Sequence, residues 1–111
     1  MKLKSLPSTL KEKLRYVSFQ IISEEPIEYS DLESAVWNTM LDFLGERGVA
    51  KTLVWLLKDR WDGNTQSGII RCNNKSVAEI IASLGLIDRL GDNRITFKIL
   101  KVSGTIRGAV K

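Results

Sequence analysis

The sequence contains no histidine and a single cysteine, Cys72, among its 111 residues. One cysteine excludes a disulfide within the chain, and the lack of histidine excludes Cys/His zinc sites and histidine-activated nucleophiles. Any catalysis would depend on carboxylates, and several of them must converge to hold a metal ion. The spacing of the acidic residues predicts no such cluster. We therefore expect no catalytic residue and no metal site, and we interpret Cys72 as a small core residue.

Long apolar runs are also absent. No stretch approaches the roughly 18 residues that a membrane-spanning helix needs, and the first four residues, Met-Lys-Leu-Lys, lack the apolar segment of a secretory signal. With 43% hydrophobic and 27% charged residues, the composition is that of one globular domain with a single core. We expect a cytoplasmic protein without a membrane partner.

Charge is unevenly distributed along the chain. Residues 1–15 carry five basic side chains and one acidic one, residues 16–62 carry four basic and nine acidic ones, and residues 63–111 carry eight basic and three acidic ones. Both ends are therefore basic and the middle is acidic. Such a distribution could turn a basic side toward a nucleic acid while the acidic side faces away or meets a basic protein.

The hydrophobic pattern predicts two helices and four strands. Strands are expected at 15–23, 51–61, 68–73 and 94–102, and helices from about Asp31 to Leu44, capped by Ser30 and Glu33, and from about Asn74 or Ser76 to Gly85. Gly45 and Gly48 are expected to end the first helix. The order β-α-β-β-α-β predicts an α+β, ferredoxin-like or RRM-like sandwich. Its four-stranded antiparallel sheet would have the order 4-1-3-2, with both helices on one face. The whole chain, 1–111, is expected to form one domain, with an N-terminal segment at 1–14, a core at 15–103 and a basic tail at 104–111.

The face of the sheet that the helices leave open is the candidate RNA-binding surface. The third predicted strand, Ser67 to Asn73, contains a glycine but no aromatic residue, which argues against recognition of bases by stacking. Contacts to phosphates and to RNA shape suit the residues better. The candidate RNA-binding residues are Arg15, Arg71, Asn73, Lys75, Lys98, Lys101, Ser103, Thr105 and Arg107.

A second candidate surface is apolar. The second predicted strand is hydrophobic on both faces and would lie at a sheet edge, where it needs a cover. The N-terminal segment, a second copy of the chain or a different protein could supply that cover. The candidate protein-interface residues are Trp37, Leu41, Leu53, Trp55 and Leu57.

Three segments stand out when they are taken together: Leu6-Pro7 followed by Lys13 to Tyr16, Gly68 to Arg71, and Ile99 to Arg107. In this order and at these separations they resemble ribonuclease P protein component 2, the archaeal relative of a small eukaryotic ribonuclease P/MRP subunit. The resemblance covers nearly the whole chain. Cys72 stands where an aliphatic β-branched residue is expected. The tail after Arg107 is short, so we expect that a C-terminal helix covering the sheet is missing.

The resemblance implies a noncatalytic protein subunit of ribonuclease P, the endonuclease whose RNA removes the 5′ leader of precursor tRNA. The Mg²⁺ belongs to that RNA, and the protein itself binds no cofactor. The implied partners are ribonuclease P RNA, which the protein helps to fold and stabilise, and ribonuclease P protein component 3, a barrel-shaped protein. Self-association would join two such pairs into a heterotetramer, and precursor tRNA would be an indirect partner.

Two other classes of function remain open from the residues. One is a ferredoxin-like domain that binds a small ligand on its open face, which would need convergent polar groups in an apolar pocket. The other is a protein adaptor without RNA binding, which would tolerate charge reversal at Arg71 and Lys101.

Overall fold

The computed structural model describes residues 13–110. The elements, in chain order, are β1 (Leu14–Ser23), α1 (Tyr29–Thr52), β2 (Trp55–Leu56), a 3₁₀ turn (Lys58–Arg60), β3 (Ser67–Asn73), α2 (Val77–Gly85), β4 (Arg89–Leu90), β5 (Asn93–Ser103) and α3 (Ile106–Val110). The strands form one antiparallel sheet in the order β2-β3-β1-β5-β4. The expected role of the first residues as a cover for β2 lies outside the described residues.

One face of the sheet, here called the helix face, carries the main core. Successive side chains of a strand point to opposite faces, and Val17, Phe19 and Ile21 of β1 are buried together with Ile70 and Cys72 of β3. Both longer helices supply the other side of this core through Leu32, Val36 and Met40 of α1 and Ile80 and Leu84 of α2. The expectations that Cys72 is a core residue and that both predicted helices share one face are confirmed.

The α+β class is confirmed, but the predicted four-strand order is not matched exactly. The four expected strands occur in the order β2-β3-β1-β5, and β4 then adds a fifth strand by pairing with the first residues of β5. The turn between them uses Gly91 at a φ of 63°, a conformation that glycine adopts without steric cost. β5 is therefore an edge strand only beyond Arg94.

The region from Gly45 to Trp61 differs most from expectation. Gly45 has φ 75° and ψ 170° and interrupts α1, but the helical conformation resumes and continues to Thr52. Leu53 then ends the helix in the left-handed region at φ 57°. The long strand predicted for 51–61 is wrong, because the helix occupies its start and only Trp55–Leu56 pairs with β3. The capping box at Ser30 and Glu33 is also wrong, because the helix begins at Tyr29 with Glu28 as its N-cap.

A short third helix, α3, follows β5 and packs on the face opposite the main core. Ala109 of α3 is 4% exposed and lines a small cleft together with Ser18, Ile69 and Leu100 of the sheet. The expectation that no C-terminal helix covers the sheet is therefore wrong. The sequence did not reveal this helix because it is short: one turn with a glycine at position 108 leaves no periodic pattern.

None of the helices within residues 13–110 is long and apolar enough to cross a membrane.

Candidate nucleic-acid interface

The face of the sheet turned away from the main core, here called the opposite face, brings basic and polar side chains into cross-strand rows. One row pairs Arg71 with Tyr16 and Tyr16 with Ser103. The next row runs from Ile69 through Ser18 to Lys101, and a third runs from Ser67 through Gln20 to Lys98. Residues opposite one another in an antiparallel pair lie on the same face. The structure therefore places Arg71, Lys98, Lys101 and Ser103 on one side of the protein.

Lys98 and Lys101 share this face because β5 contains a bulge. The register between β1 and β5 shifts between Ser18 and Phe19, so that Lys98 lies opposite Gln20 and Lys101 lies opposite Ser18. Residues three apart in a regular strand would point to opposite faces. Both lysines are exposed, and the Ser18 hydroxyl donates to the Lys101 carbonyl at 3.4 Å. The bulge thus adds a second cation to the opposite face.

Arg71 occupies the inner part of this face. It lies between Tyr16 of β1 and Trp55 of β2 in the strand register. Its Nε is buried and has no hydrogen-bond partner within residues 13–110. Buried donors in proteins are nearly always satisfied, so this nitrogen is an exception among the described residues.

Arg15, Ser103, Thr105 and Arg107 lie where β5 leads into α3. The Arg15 guanidinium donates to the carbonyl of Leu14 at 2.9 Å. It also lies beside Gly104, where a side chain added to the glycine would place its Cβ 3.7 Å from Arg15 Nη1. The backbone N–H of Thr105 donates to the Ser103 hydroxyl at 3.3 Å. Arg107 and Thr105 are exposed. These residues form a basic corner next to the first row of the opposite face.

Asn73 and Lys75 lie at the end of β3, away from the rows. Asn73 is 2% exposed, and its amide donates to the carbonyl of Lys51 at 2.6 Å. This bond ties the end of α1 to β3, so the structure gives Asn73 a structural position rather than one that faces a partner. Lys75 is exposed in the turn that follows.

The predicted protein-interface residues form an apolar surface on α1 and around β2. The rings of Trp37 and Trp55 meet edge to face, with centroids 6.3 Å apart and an interplanar angle of 72°. Leu41 lies one turn after Trp37 on α1 and is exposed, as is Leu53 at the helix end. Leu57 is half-buried, and its backbone N–H donates to the carbonyl of Ile69 at 3.0 Å. The structure therefore brings the two tryptophans together and leaves three of the five residues well exposed.

Comparison with known proteins identifies the fold family of this arrangement. The family model described as the Rpp14/Pop5 family matches residues 15–111. The chain belongs to the Rpp14/Pop5 family. The resemblance to ribonuclease P protein component 2 that the sequence predicts is confirmed.

Relatives in this family match over nearly the full chain. The protein named Ribonuclease P protein component 2 from Pyrococcus furiosus is 44% identical over 104 residues, which are 94% of this chain and 85% of the relative. The protein of the same name from Pyrococcus horikoshii is 39% identical, with 96% and 87% covered. A third, from Methanobrevibacter smithii, is 35% identical, with 100% and 97% covered.

A solved structure shares the Rpp14/Pop5 fold. A chain in the cryo-EM structure of yeast ribonuclease MRP superposes with a TM-score of 0.63 and covers 86% of this chain, while 76% of that chain is covered. The sequence identity is 18%. At this identity the likeness supports the architecture alone.

Two titratable side chains among the described residues of this Rpp14/Pop5 chain have raised pKa values. Burial raises the pKa of the Cys72 thiol to about 11, which keeps it protonated and unreactive at neutral pH. Burial and the neighbouring Glu33 carboxylate raise the pKa of Tyr29 to about 12. Within residues 13–110, no group of three or more His, Cys, Asp or Glu side chains could hold a metal ion.

Sequence reasoning missed the residues at the junction of β2 and α3. Lys58 and Arg60 follow β2 in the 3₁₀ turn and line a groove together with Ile106 of α3. The sequence offered a signal in the run Lys58-Asp59-Arg60, but the long strand predicted there concealed the turn. The Rpp14/Pop5 chain therefore has cations beside its opposite face beyond those predicted.

Proposed function

We propose that this chain acts as a noncatalytic protein subunit of ribonuclease P. The observation that carries the proposal is the match at 35–44% identity, over nearly the whole chain, to proteins named Ribonuclease P protein component 2. The protein helps to fold and stabilise the RNA that removes the 5′ leader of precursor tRNA. The Mg²⁺ of the reaction belongs to the RNA, and the protein works in the cytoplasm.

The opposite face and its basic corner contact the RNA. The support is geometric, since Arg71, Lys98 and Lys101 lie on one face and Arg15 and Arg107 lie at its corner. Most protein contacts to nucleic acids involve the phosphate and sugar, and these fix position and orientation. The row residues are held by a rigid sheet, which suits recognition of RNA shape and backbone.

A partner protein covers the exposed apolar part of α1, where Trp37 and Leu41 lie on one side of the helix. We assign ribonuclease P protein component 3 to this surface, with Leu53 at its border. Self-association of two such pairs gives a heterotetramer. Burial of aromatic and leucine side chains typically supplies most of the affinity at such an interface.

Reconstitution tests the proposed function. The purified chain is added to the cognate ribonuclease P RNA with and without component 3, and cleavage of precursor tRNA is measured as a function of Mg²⁺ concentration. The expected result is no cleavage by the chain alone and a lower Mg²⁺ requirement for the RNA when both proteins are present. Cleavage by the chain in the absence of the RNA contradicts the proposal.

A second experiment separates this role from that of an adaptor without RNA binding. Charge reversal at Arg71 and Lys101 should weaken binding to the RNA and raise the Mg²⁺ requirement again. Binding to component 3 serves as the control and should be unchanged. Full activity of this variant would indicate an adaptor.

A further inference from the structure

A groove of about 380 Å³ lies between β2 and α3 at the border of the opposite face. Its walls are Trp55, Leu57, Lys58, Asp59, Arg60 and Ile106. Arg60 also lines the neighbouring cleft beneath α3, so this residue lies between the groove and that cleft. The groove combines one indole, two apolar side chains, two cations and a single carboxylate.

Trp55 gives the groove a fixed but open aromatic surface. Its side chain is 56% exposed, although the edge-to-face contact with Trp37 fixes the ring on one side. A tryptophan that is held in place and still exposed offers a π face to a planar partner at little cost in side-chain entropy.

Arg60 supplies a cation beside this indole. Arg71 lies directly opposite Trp55 in the β2-β3 register, but it does not line the groove and its Nε is buried. Lys58 already lies over the Tyr29 ring, 5.9 Å from its centroid, which leaves Arg60 as the more available cation of the groove.

We propose that this groove binds one unpaired nucleotide of RNA, with its base stacked on Trp55 and its phosphate held by Arg60. The inference rests on the proposed function and adds a stacking contact to it. An aromatic side chain next to arginine donors is the combination with which proteins bind single-stranded nucleic acid without reading its sequence. The lining holds two cations, Lys58 and Arg60, against one carboxylate, Asp59, which favours a phosphate-bearing occupant over an apolar side chain of a partner protein.

Binding of the full-length chain to ribonuclease P RNA tests the groove, with the dissociation constant measured over a range of salt concentrations. Trp55→Ala should weaken binding by about fivefold to 100-fold, whereas Trp55→Phe should retain most of the affinity because it keeps an aromatic face. Arg60→Gln should reduce the salt slope by about 0.7–0.9, and Trp55→Ala should leave that slope unchanged.

Two matched controls lie outside the groove. Leu86→Ala removes an equally exposed apolar side chain, and Arg89→Gln removes an exposed cation on the far edge of the sheet. Both should bind the RNA like the unmodified chain. Chemical denaturation of each variant verifies that it is folded. If Trp55→Ala does not fold, Arg60→Gln keeps the test decisive, because an unchanged salt slope would contradict the phosphate contact.

Three results would overturn the inference. Binding of Trp55→Ala equal to that of Leu86→Ala would show that no base stacks there. If Trp55→Phe and Trp55→Ala both weakened binding to component 3 to the same extent and left binding to the RNA unchanged, the groove would belong to the partner protein. Failure of the unmodified chain to bind the RNA would remove both this site and the RNA contact of the proposed function, whereas the first two results leave that function intact.

Discussion

The two faces of the central sheet are made by alternate residues of the same strands, yet they differ in almost every property. On β1, Val17, Phe19 and Ile21 are buried under α1 and α2. The residues between them, Ser18 and Gln20, lie on the opposite face in cross-strand rows that end at lysines of β5. The helix face is closed by two long helices, and the opposite face is covered in part by the single turn of α3.

The difference separates stability from recognition. A closed apolar face supplies the free energy of folding, because burial of apolar surface is the dominant favourable contribution. Cations on the other face can then remain exposed for a partner. Substitutions on β1 should therefore affect different measurements according to whether the residue number is odd or even.

The largest expected effect is on the helix face. Phe19 is 0% exposed and packs against Phe97 with ring centroids 5.4 Å apart. Phe19→Ala should lower the free energy of unfolding by about 3–5 kcal/mol through lost burial and a cavity, measured by urea denaturation. Gln20→Ala, one residue along the strand on the opposite face, is the control and should change it by about 1 kcal/mol or less, because it removes only an exposed hydrogen bond to the Thr65 carbonyl. Equal losses in the free energy of unfolding for the two variants would contradict the division of the sheet into a stabilising face and a recognition face.

The next effect concerns the partial cover on the opposite face. Ala109→Asp places a carboxylate where α3 meets the sheet and should destabilise the docked helix by about 1–3 kcal/mol. Amide hydrogen exchange should accelerate in residues 104–110 and stay slow in β1. The exposed neighbour provides the control, since Arg107→Ala should leave exchange in this segment nearly unchanged. Faster exchange throughout the sheet would mean that α3 belongs to the global core.

A smaller effect is expected for the two lysines that the bulge places together. Lys98→Gln combined with Lys101→Gln should leave the free energy of unfolding within about 0.5 kcal/mol of the unmodified value, because both side chains are exposed. The salt slope of RNA binding should fall by about 1.4–1.8, as expected for two lost phosphate contacts. An unchanged slope would show that this face does not meet phosphates.

The smallest expected effect is a change in the pH dependence of stability, which comes from Tyr29 at the border of the helix face. The pKa of Tyr29 is raised from 10.0 to about 12, first by burial and then by Glu33. Below the pKa of the unfolded state, Tyr29 is protonated in both the folded and the unfolded chain, so its contribution to the free energy of unfolding is complete. This contribution is lost as the pH rises through the pKa of the folded state. Tyr29→Phe should therefore lose less stability than the unmodified chain between pH 9 and 11.5, measured by urea denaturation. Identical losses would contradict the raised pKa.

Much of the fold could be predicted from sequence where periodicity is long. β1, β5 and α2 were expected within about two residues of their observed bounds, because each carries an unbroken apolar pattern. The region from Gly45 to Leu57 could not be predicted in the same way. Its two glycines indicated a helix end and its apolar run indicated a strand, but the helical conformation resumes after Gly45 and continues to Thr52.

The candidate site was predicted in composition but not in arrangement. Arg71 and Lys98 follow from alternation, whereas Lys101 and Ser103 reach the same face only through the bulge, which regular alternation does not predict. Sequence spacing could not show that Asn73 bonds the end of α1, since that contact joins residues far apart in the chain. It also could not place α3 beside Trp55, because single helical turns leave no periodic signal.

The bulge at Leu100 has a consequence for how the chain can change length. Leu100 is the extra residue between Ile99, opposite Phe19, and Lys101, opposite Ser18. Deletion of Leu100 would restore a regular ladder and keep every neighbour on its present face. Deletion of a residue elsewhere in the middle of β5 would shift the alternation and turn a lysine toward the core. Leu100 is thus the point in this strand where deletion of one residue would not exchange the two surfaces.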